Sequence, residues 1–205
     1  MEDLTEEQVE KIISEIMHIQ RQFAHEFTHA NLVYPGGVET FTIGTSTYAI
    51  VTGYIADTVQ ILDISNPANI VAKDSLSNSG SLELNGAFEV NVFTIGSSTY
   101  AIITGYDDDG VQVIDVSDPN NIVAKDTLAE SNSLELGDAH GVDIFTIGEK
   151  TYAIVTAFFD DGVQVIDVSD PNNIVGKGYA QDDTGSYTEL NGPKDVDVFT
   201  IGEKT

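Results

Sequence analysis

Two groups of residues in this chain are of types and spacings that could do chemistry. The first is His25-Glu26-Phe27-Thr28-His29. Two histidines one turn apart on a helix can share a Zn2+, and the glutamate between them can act as general base on a metal-bound water. The second is a set of acidic turns, Asp107-Asp108-Asp109 and Asp160-Asp161. Clustered carboxylates are hard oxygen ligands of the kind Ca2+ takes, or a landing surface for a basic partner. Against both stand plainer readings: a histidine pair met by chance on a polar helix face, and turn aspartates that serve their own backbone.

The element that would position the histidines is a helix over residues 4–29. Thr5 followed by Gln8 is a capping-box pattern, and Glu6 and Glu7 lie in the first turn where the helix dipole favours them. Ile12, Ile16, Ile19, Phe23 and Phe27 form an apolar stripe, with His18, Gln22, His25 and His29 on the opposite side. Pro35-Gly36-Gly37 closes the segment. The stretch around His25 resembles the active-site helix of thermolysin-type metallopeptidases, which implies Zn2+ at His25 and His29 and Glu26 as base. The third ligand such a site needs is missing, because a short linker and then strands follow His29. His18 would sit about 10 Å further along the axis.

The acidic turns belong to a repeat. Gly110–Val123, GVQVIDVSDPNNIV, returns letter for letter at Gly162–Val175 and in weaker form at Thr58–Val71. Phe41, Phe93, Phe145 and Phe199 register the units at separations of 52, 52 and 54 residues. Each unit reads as four strands. In the third these are Val142–Ile147, a turn opened by Gly148, Thr151–Thr156, the turn Asp160-Asp161-Gly162, Val163–Val168, a Ser-Asp-Pro-Asn-Asn turn, and a strand from Ile174. A period near 50 residues with four strands predicts β-propeller blades. The fold class expected is all-β: blades of four antiparallel strands behind an N-terminal amphipathic helix. The helix and linker occupy 1–37 and the repeats 38–205, with blades at about 38–88, 89–140 and 141–194 and a partial one at 195–205.

The succession Tyr-Ala-Ile-Val-Thr, Asp-Asp-Gly-Val-Gln-Val-Ile-Asp-Val-Ser-Asp-Pro resembles the LVIVD-repeat β-propeller proteins over residues 38–205. The resemblance implies the fold and a surface or secreted setting, and no single activity. It departs in the longer period and in the helix. About three and a quarter units form an incomplete ring, since closed propellers have roughly 4–8 blades. A fragment of a longer protein is therefore expected, with a second subunit as the other source of blades.

Recurrence separates structural from functional residues, because a catalytic constellation breaks symmetry. Asp63, Asp115 and Asp167, with Ser65, Ser117 and Ser169, recur and read as turn caps. Tyr48, Tyr100 and Tyr152 read as interblade packing. The varying positions are Gly36, Phe88, His140 and Lys194, five residues before each key phenylalanine, where they should ring the mouth of the central channel. Asp57, Glu83, Glu135, Asp138 and Glu189 join the acidic turns on the same face.

Thirty-four acidic against eight basic residues give a formal net charge of −26, which repels nucleic acid and suits cations, basic proteins or a salty medium. The absence of cysteine excludes disulfides, thiolate metal sites and cysteine nucleophiles. No apolar run reaches membrane-spanning length, and the start at Met1-Glu2-Asp3 shows no signal-peptide pattern. The expected function is a non-enzymatic binding or scaffold module that meets a protein, an ion or a glycan on its acidic loop face, with Phe88, Asp138, His140 and Lys194 as partner-binding residues. The cofactors in question are Ca2+ at Asp107, Asp108, Asp109, Asp160 and Asp161, and Zn2+ at His25 and His29. The rivals are a zinc-dependent metallopeptidase and a purely structural acidic surface protein.

Overall fold

The computed structural model describes residues 32–131, 133–182 and 189–200. The helix read at 4–29, with His25, Glu26 and His29, lies outside the described residues. Among these, the chain builds three sheets, each of four antiparallel strands in sequence order. The first blade holds β1 (Pro35–Ile43), β2 (Ser46–Gly53), β3 (Thr58–Asp63) and β4 (Val71–Ser77). The second holds β5 (Ala87–Ile95), β6 (Ser98–Gly105), β7 (Gly110–Asp115) and β8 (Val123–Ala129). The third holds β9 (Ala139–Ile147), β10 (Lys150–Ala157), β11 (Gly162–Asp167) and β12 (Val175–Gln181).

These elements follow from local chemistry. Alternating Val and Ile suit a pleated surface buried on both faces, and Gly44, Gly96 and Gly148 supply the left-handed φ of 62°, 62° and 64° that each first hairpin requires. In the three four-stranded sheets the key phenylalanine stacks on the tyrosine opposite it in the ladder: Phe41 on Tyr48, Phe93 on Tyr100 and Phe145 on Tyr152, at 5.6, 5.7 and 5.4 Å between centroids. The tyrosines thus act first within their own blade; Tyr48 and Tyr100 also pack against the interblade clusters. The first strand of the third unit begins at Ala139 rather than Val142, because a bulge lets pairing resume beyond the irregularity opposite Val155 and Ala157.

The core lies between blades. One cluster joins Phe41, Ile50, Val59 and Ile61 of the first blade to Ala101, Ile103, Ile114 and Val116 of the second. The other repeats the arrangement between the second and third blades, from Phe93, Ile102, Val111 and Val113 to Ala153, Val155, Ile166 and Val168. Threonines bolt the inner edges together. Thr52 Oγ1 accepts the Gly37 N–H at 2.7 Å and donates to the Phe88 carbonyl of the next blade at 2.6 Å. Thr104 does the same between Glu89 N–H and the His140 carbonyl, at 2.9 and 2.8 Å. At the outer edge Asp74 accepts Ile122 N–H and Asp126 accepts Ile174 N–H, both at 2.9 Å.

Each third strand also buries a glutamine at an irregularity in its pairing with the fourth. Gln112 Nε2 donates to the carbonyls of Val113 (2.7 Å) and Asp126 (3.3 Å), filling the gap the irregularity leaves in the ladder, while Oε1 accepts Glu83 N–H at 3.4 Å. Gln164 repeats this with Val165, Gly178 and Glu135. Gln112→Leu should therefore lower stability by about 2–4 kcal/mol in urea titration, because it strands buried main-chain groups. Val123→Ala, at a site 44% exposed, should stay within about 0.5 kcal/mol. Equal costs would remove the glutamine from its bridging role.

Candidate functional site

The loops joining second to third strands and the segments linking one blade to the next meet at one end of the blades. Asp57, Asp109 and Asp161 recur there, each in the left-handed region at φ 52°, 53° and 54°. Their carboxylates reach across the blade boundary to the N–H groups of Gly86, Asp138 and Gly192, at 2.8, 2.8 and 2.7 Å. Asp108 accepts Asn85 N–H and Asp160 accepts Gly137 N–H, both at 2.7 Å. Of the five aspartates read as a Ca2+ set, four thus hold main-chain donors, and Asp107 accepts the Tyr54 hydroxyl at 3.4 Å. Among the described residues no three His, Cys, Asp or Glu side chains are grouped to hold a metal ion.

Charge is segregated along the blades. Lys73, Lys125, Lys150 and Lys177 all pair with Asp63, Asp115 or Asp167 at the far end of the third strands. The Lys150 ammonium and the Ser169 hydroxyl hold the Asp167 carboxyl far below the ordinary range. Among the described residues, that leaves Lys194 as the cation at the acidic end. There burial, then the neighbouring aspartates, push the Glu83 and Glu135 carboxyls up.

Between the acidic loops and the channel runs a band of rings. Tyr54, Tyr106 and Phe158 leave the second strands at the repeat interval, and Phe88 and His140 enter the first strands between them. Centroid separations are 6.0 Å for Tyr54–Phe88, 6.1 Å for Phe88–Tyr106, 5.9 Å for Tyr106–His140 and 6.4 Å for His140–Phe158. Phe88 and His140 lie 4.1 Å apart, exposed Tyr34 extends the band from Tyr54 at 6.3 Å, and Lys194 Nζ caps the Phe158 ring at 5.3 Å. The five rings from Tyr54 to Phe158 are half-buried. Burial, then the neighbouring Asp138 carboxylate, raises the Tyr106 pKa. Burial lowers the His140 pKa, against a hydrogen bond to the Lys194 backbone that raises it.

The four residues read as partner-binding therefore fall in one band: Phe88, His140 and Lys194 within it and Asp138 at its edge. Tyr54, Tyr106 and Phe158 were not singled out from the sequence. Their signal was the repeat interval, combined with the rule that residues flanking a strand pair end beside the next blade's entry. Deeper in, Asn91 Nδ2 donates to Asp143 Oδ1 at 2.9 Å, and Asp143 Oδ2 accepts Val198 N–H at 2.7 Å, so the channel strands touch through these polar positions.

Comparison with known proteins agrees with this architecture. The LVIVD repeat model matches residues 53–78 and 149–182, so the chain carries LVIVD repeats. No curated protein matches the sequence. Among solved structures, the chain is similar to the periplasmic gluconolactonase of Pseudomonas aeruginosa, with a TM-score of 0.54 and 11% identity over 78% of this chain and 41% of that one. A protein from Lactobacillus plantarum gives 0.53 and 16% over 75% and 44%. An exo-β-1,3-galactanase from Phanerochaete chrysosporium, solved with β-1,3-galactotriose, gives 0.52 and 13% over 71% and 38%. The chain thus spans less than half the length of these neighbours, and at such identity the likeness shows the fold alone. At residues 53–78 and 149–182 the chain resembles LVIVD repeats, and its three four-stranded sheets are propeller-like blades.

The carboxyl groups give a pH signature. Burial raises Glu83, Glu89, Glu130 and Glu135, so their protonated forms favour the folded state. That contribution is complete below about pH 4.3 and is lost as pH rises through the folded-state values. Asp115 and Asp167 are lowered, so their contribution is lost only as pH falls below about 4. The melting temperature should rise from about pH 7 to about pH 5 and drop again below about pH 3.5. Calorimetry at fixed salt checks this, and Glu83→Gln should flatten the rise.

Proposed function

We propose that this chain is part of a non-enzymatic binding module that takes a saccharide at the mouth of its blade stack. The band of half-buried rings carries this reading. Aromatic faces offer apolar surface to the C–H side of a sugar ring, while polar handles at their edges receive its hydroxyls. Here the handles are the Tyr54 hydroxyl with Asp107 as its acceptor, and the Tyr106 hydroxyl beside the Asp138 carboxylate. The binding of β-1,3-galactotriose by one structural neighbour supports the class of ligand. A basic protein partner is favoured less, because the loop carboxylates are committed to main-chain donors.

Titration of β-1,3-galactotriose and a panel of neutral oligosaccharides, followed by calorimetry and tyrosine fluorescence, tests this. At least one saccharide should bind, and Phe88→Ala or Tyr106→Ala should weaken it about tenfold, the loss of one stacking contact of about 1.4 kcal/mol. Tyr179→Ala, on β12 and 51% exposed, should leave binding unchanged. Indifference of every variant, or capture of basic proteins that salt abolishes, would move the function to the acidic loops. Release of reducing ends would instead favour hydrolysis, with half-buried, raised Glu89 the carboxyl to examine.

A further inference from the structure

Three rings of the aromatic band form a compact group. The centroids of Tyr54, Phe88 and Tyr106 are mutually 6.0, 6.0 and 6.1 Å apart, and the Tyr54 plane stands at 86° to Phe88 and 71° to Tyr106. Rings set so steeply turn their faces in different directions, and each face is the negative side of an aromatic quadrupole. All three are half-buried, which thins the water that competes for a cation on such a face.

The repeat shows what each ring leaving a second strand meets. Tyr54, Tyr106 and Phe158 keep the 52-residue interval, and their neighbours from the next unit are Phe88, His140 and Lys194 in turn. At two of these equivalent places the neighbour is a ring. At the third it is an ammonium, with Lys194 Nζ 5.3 Å from the Phe158 centroid. The band therefore already seats one amine.

The charge around the rings suits a second. Asp107 is exposed at the Tyr54 hydroxyl, and half-buried Asp138 lies beside the Tyr106 hydroxyl. Both carboxylates act on both tyrosines, raising their pKa after burial has done so. The carboxylates of Asp57, Asp108, Asp109, Asp160 and Asp161 accept main-chain N–H groups. Such a bond leaves their charge in place, so they add to the negative potential here. Lys73, Lys125, Lys150 and Lys177 are paired at the other end of the blades. An anionic sugar would meet like charge at this mouth, and a neutral one draws nothing from the field. A sugar that carries an amine uses the rings and the field together.

We propose that the saccharide taken by the band is an amino sugar, its ring laid on Phe88 or Tyr106 and its ammonium held between the aromatic faces and the carboxylates of Asp107 and Asp138. This rests on the saccharide-binding role proposed for the band and adds the charge of the ligand to it. Lys194 then competes with the ligand amine for the same field.

Calorimetric titration of the full chain with short glucosamine oligomers, and with the same oligomers N-acetylated on every ring, tests this below the pKa of the free amine. The amine form should bind at least about tenfold tighter at low salt, and the preference should shrink as salt rises. Asp107→Asn with Asp138→Asn should reduce the preference about tenfold. Lys194→Ala, at an exposed side chain, should tighten the amine form about threefold; it keeps the test open if the double variant does not fold. Equal binding of the two forms, or weaker binding of the amine form by Lys194→Ala, would overturn the amino-sugar inference and leave the saccharide role standing. A preference that survives Phe88→Ala and Tyr106→Ala would also overturn it, as general attraction of a polycation to an acidic surface. Failure of every saccharide, neutral ones included, would remove the saccharide role itself, as would tetramethylammonium binding as tightly as the oligomers.

Discussion

Everything in this molecule hangs on how one blade is fastened to the next. A sheet of four short strands has two apolar faces and cannot bury either alone, so stacking supplies the core. Stacking by itself leaves the angle and height of neighbours loosely set. The buried glutamine of the third strand removes that freedom. Its amide repairs the ladder of its own sheet and, in the second and third blades, takes an N–H from the segment that leads into that blade. Threonines at the inner edge and aspartates at the outer edge complete a three-point attachment from blade to blade.

The same fastening creates the candidate site. Because Asp57, Asp109 and Asp161 clamp each second-to-third-strand loop onto the next blade's entry, the rings that leave the second strands stand beside those that enter the first. A continuous band results, though its members are far apart in sequence. Lysines gather at the opposite end on the third-strand aspartates, so the ring-bearing end keeps its negative potential. The acid of this protein is thus partly architectural: many carboxylates are internal acceptors for backbone N–H, and only some are surface charge.

Residues that recur in every blade serve the blade: the carboxylates of Asp63, Asp115 and Asp167 accept the N–H of Ser65, Ser117 and Ser169 two residues on. Asp57, Asp109 and Asp161 keep the same interval and likewise serve the blade boundary. The varying positions fared differently. Phe88, His140 and Lys194 were legible as a set because the repeat supplies a ruler and they depart from it. Tyr54, Tyr106 and Phe158 were not, because an aromatic residue after a strand reads as ordinary packing until its neighbour in the next blade is known.

The sequence by itself determined the strands, their hairpins and the four-strand unit, since alternation of apolar residues, turn glycines and a fixed repeat interval are local properties. It also determined the acidity and the lack of thiol chemistry. Only the tertiary structure decided which carboxylates are occupied, which rings meet, and where the core lies. Those depend on contacts between residues about 30 to 50 positions apart, whose partners are chosen by the stacking of whole sheets and by hydrogen-bond geometry that no local pattern encodes.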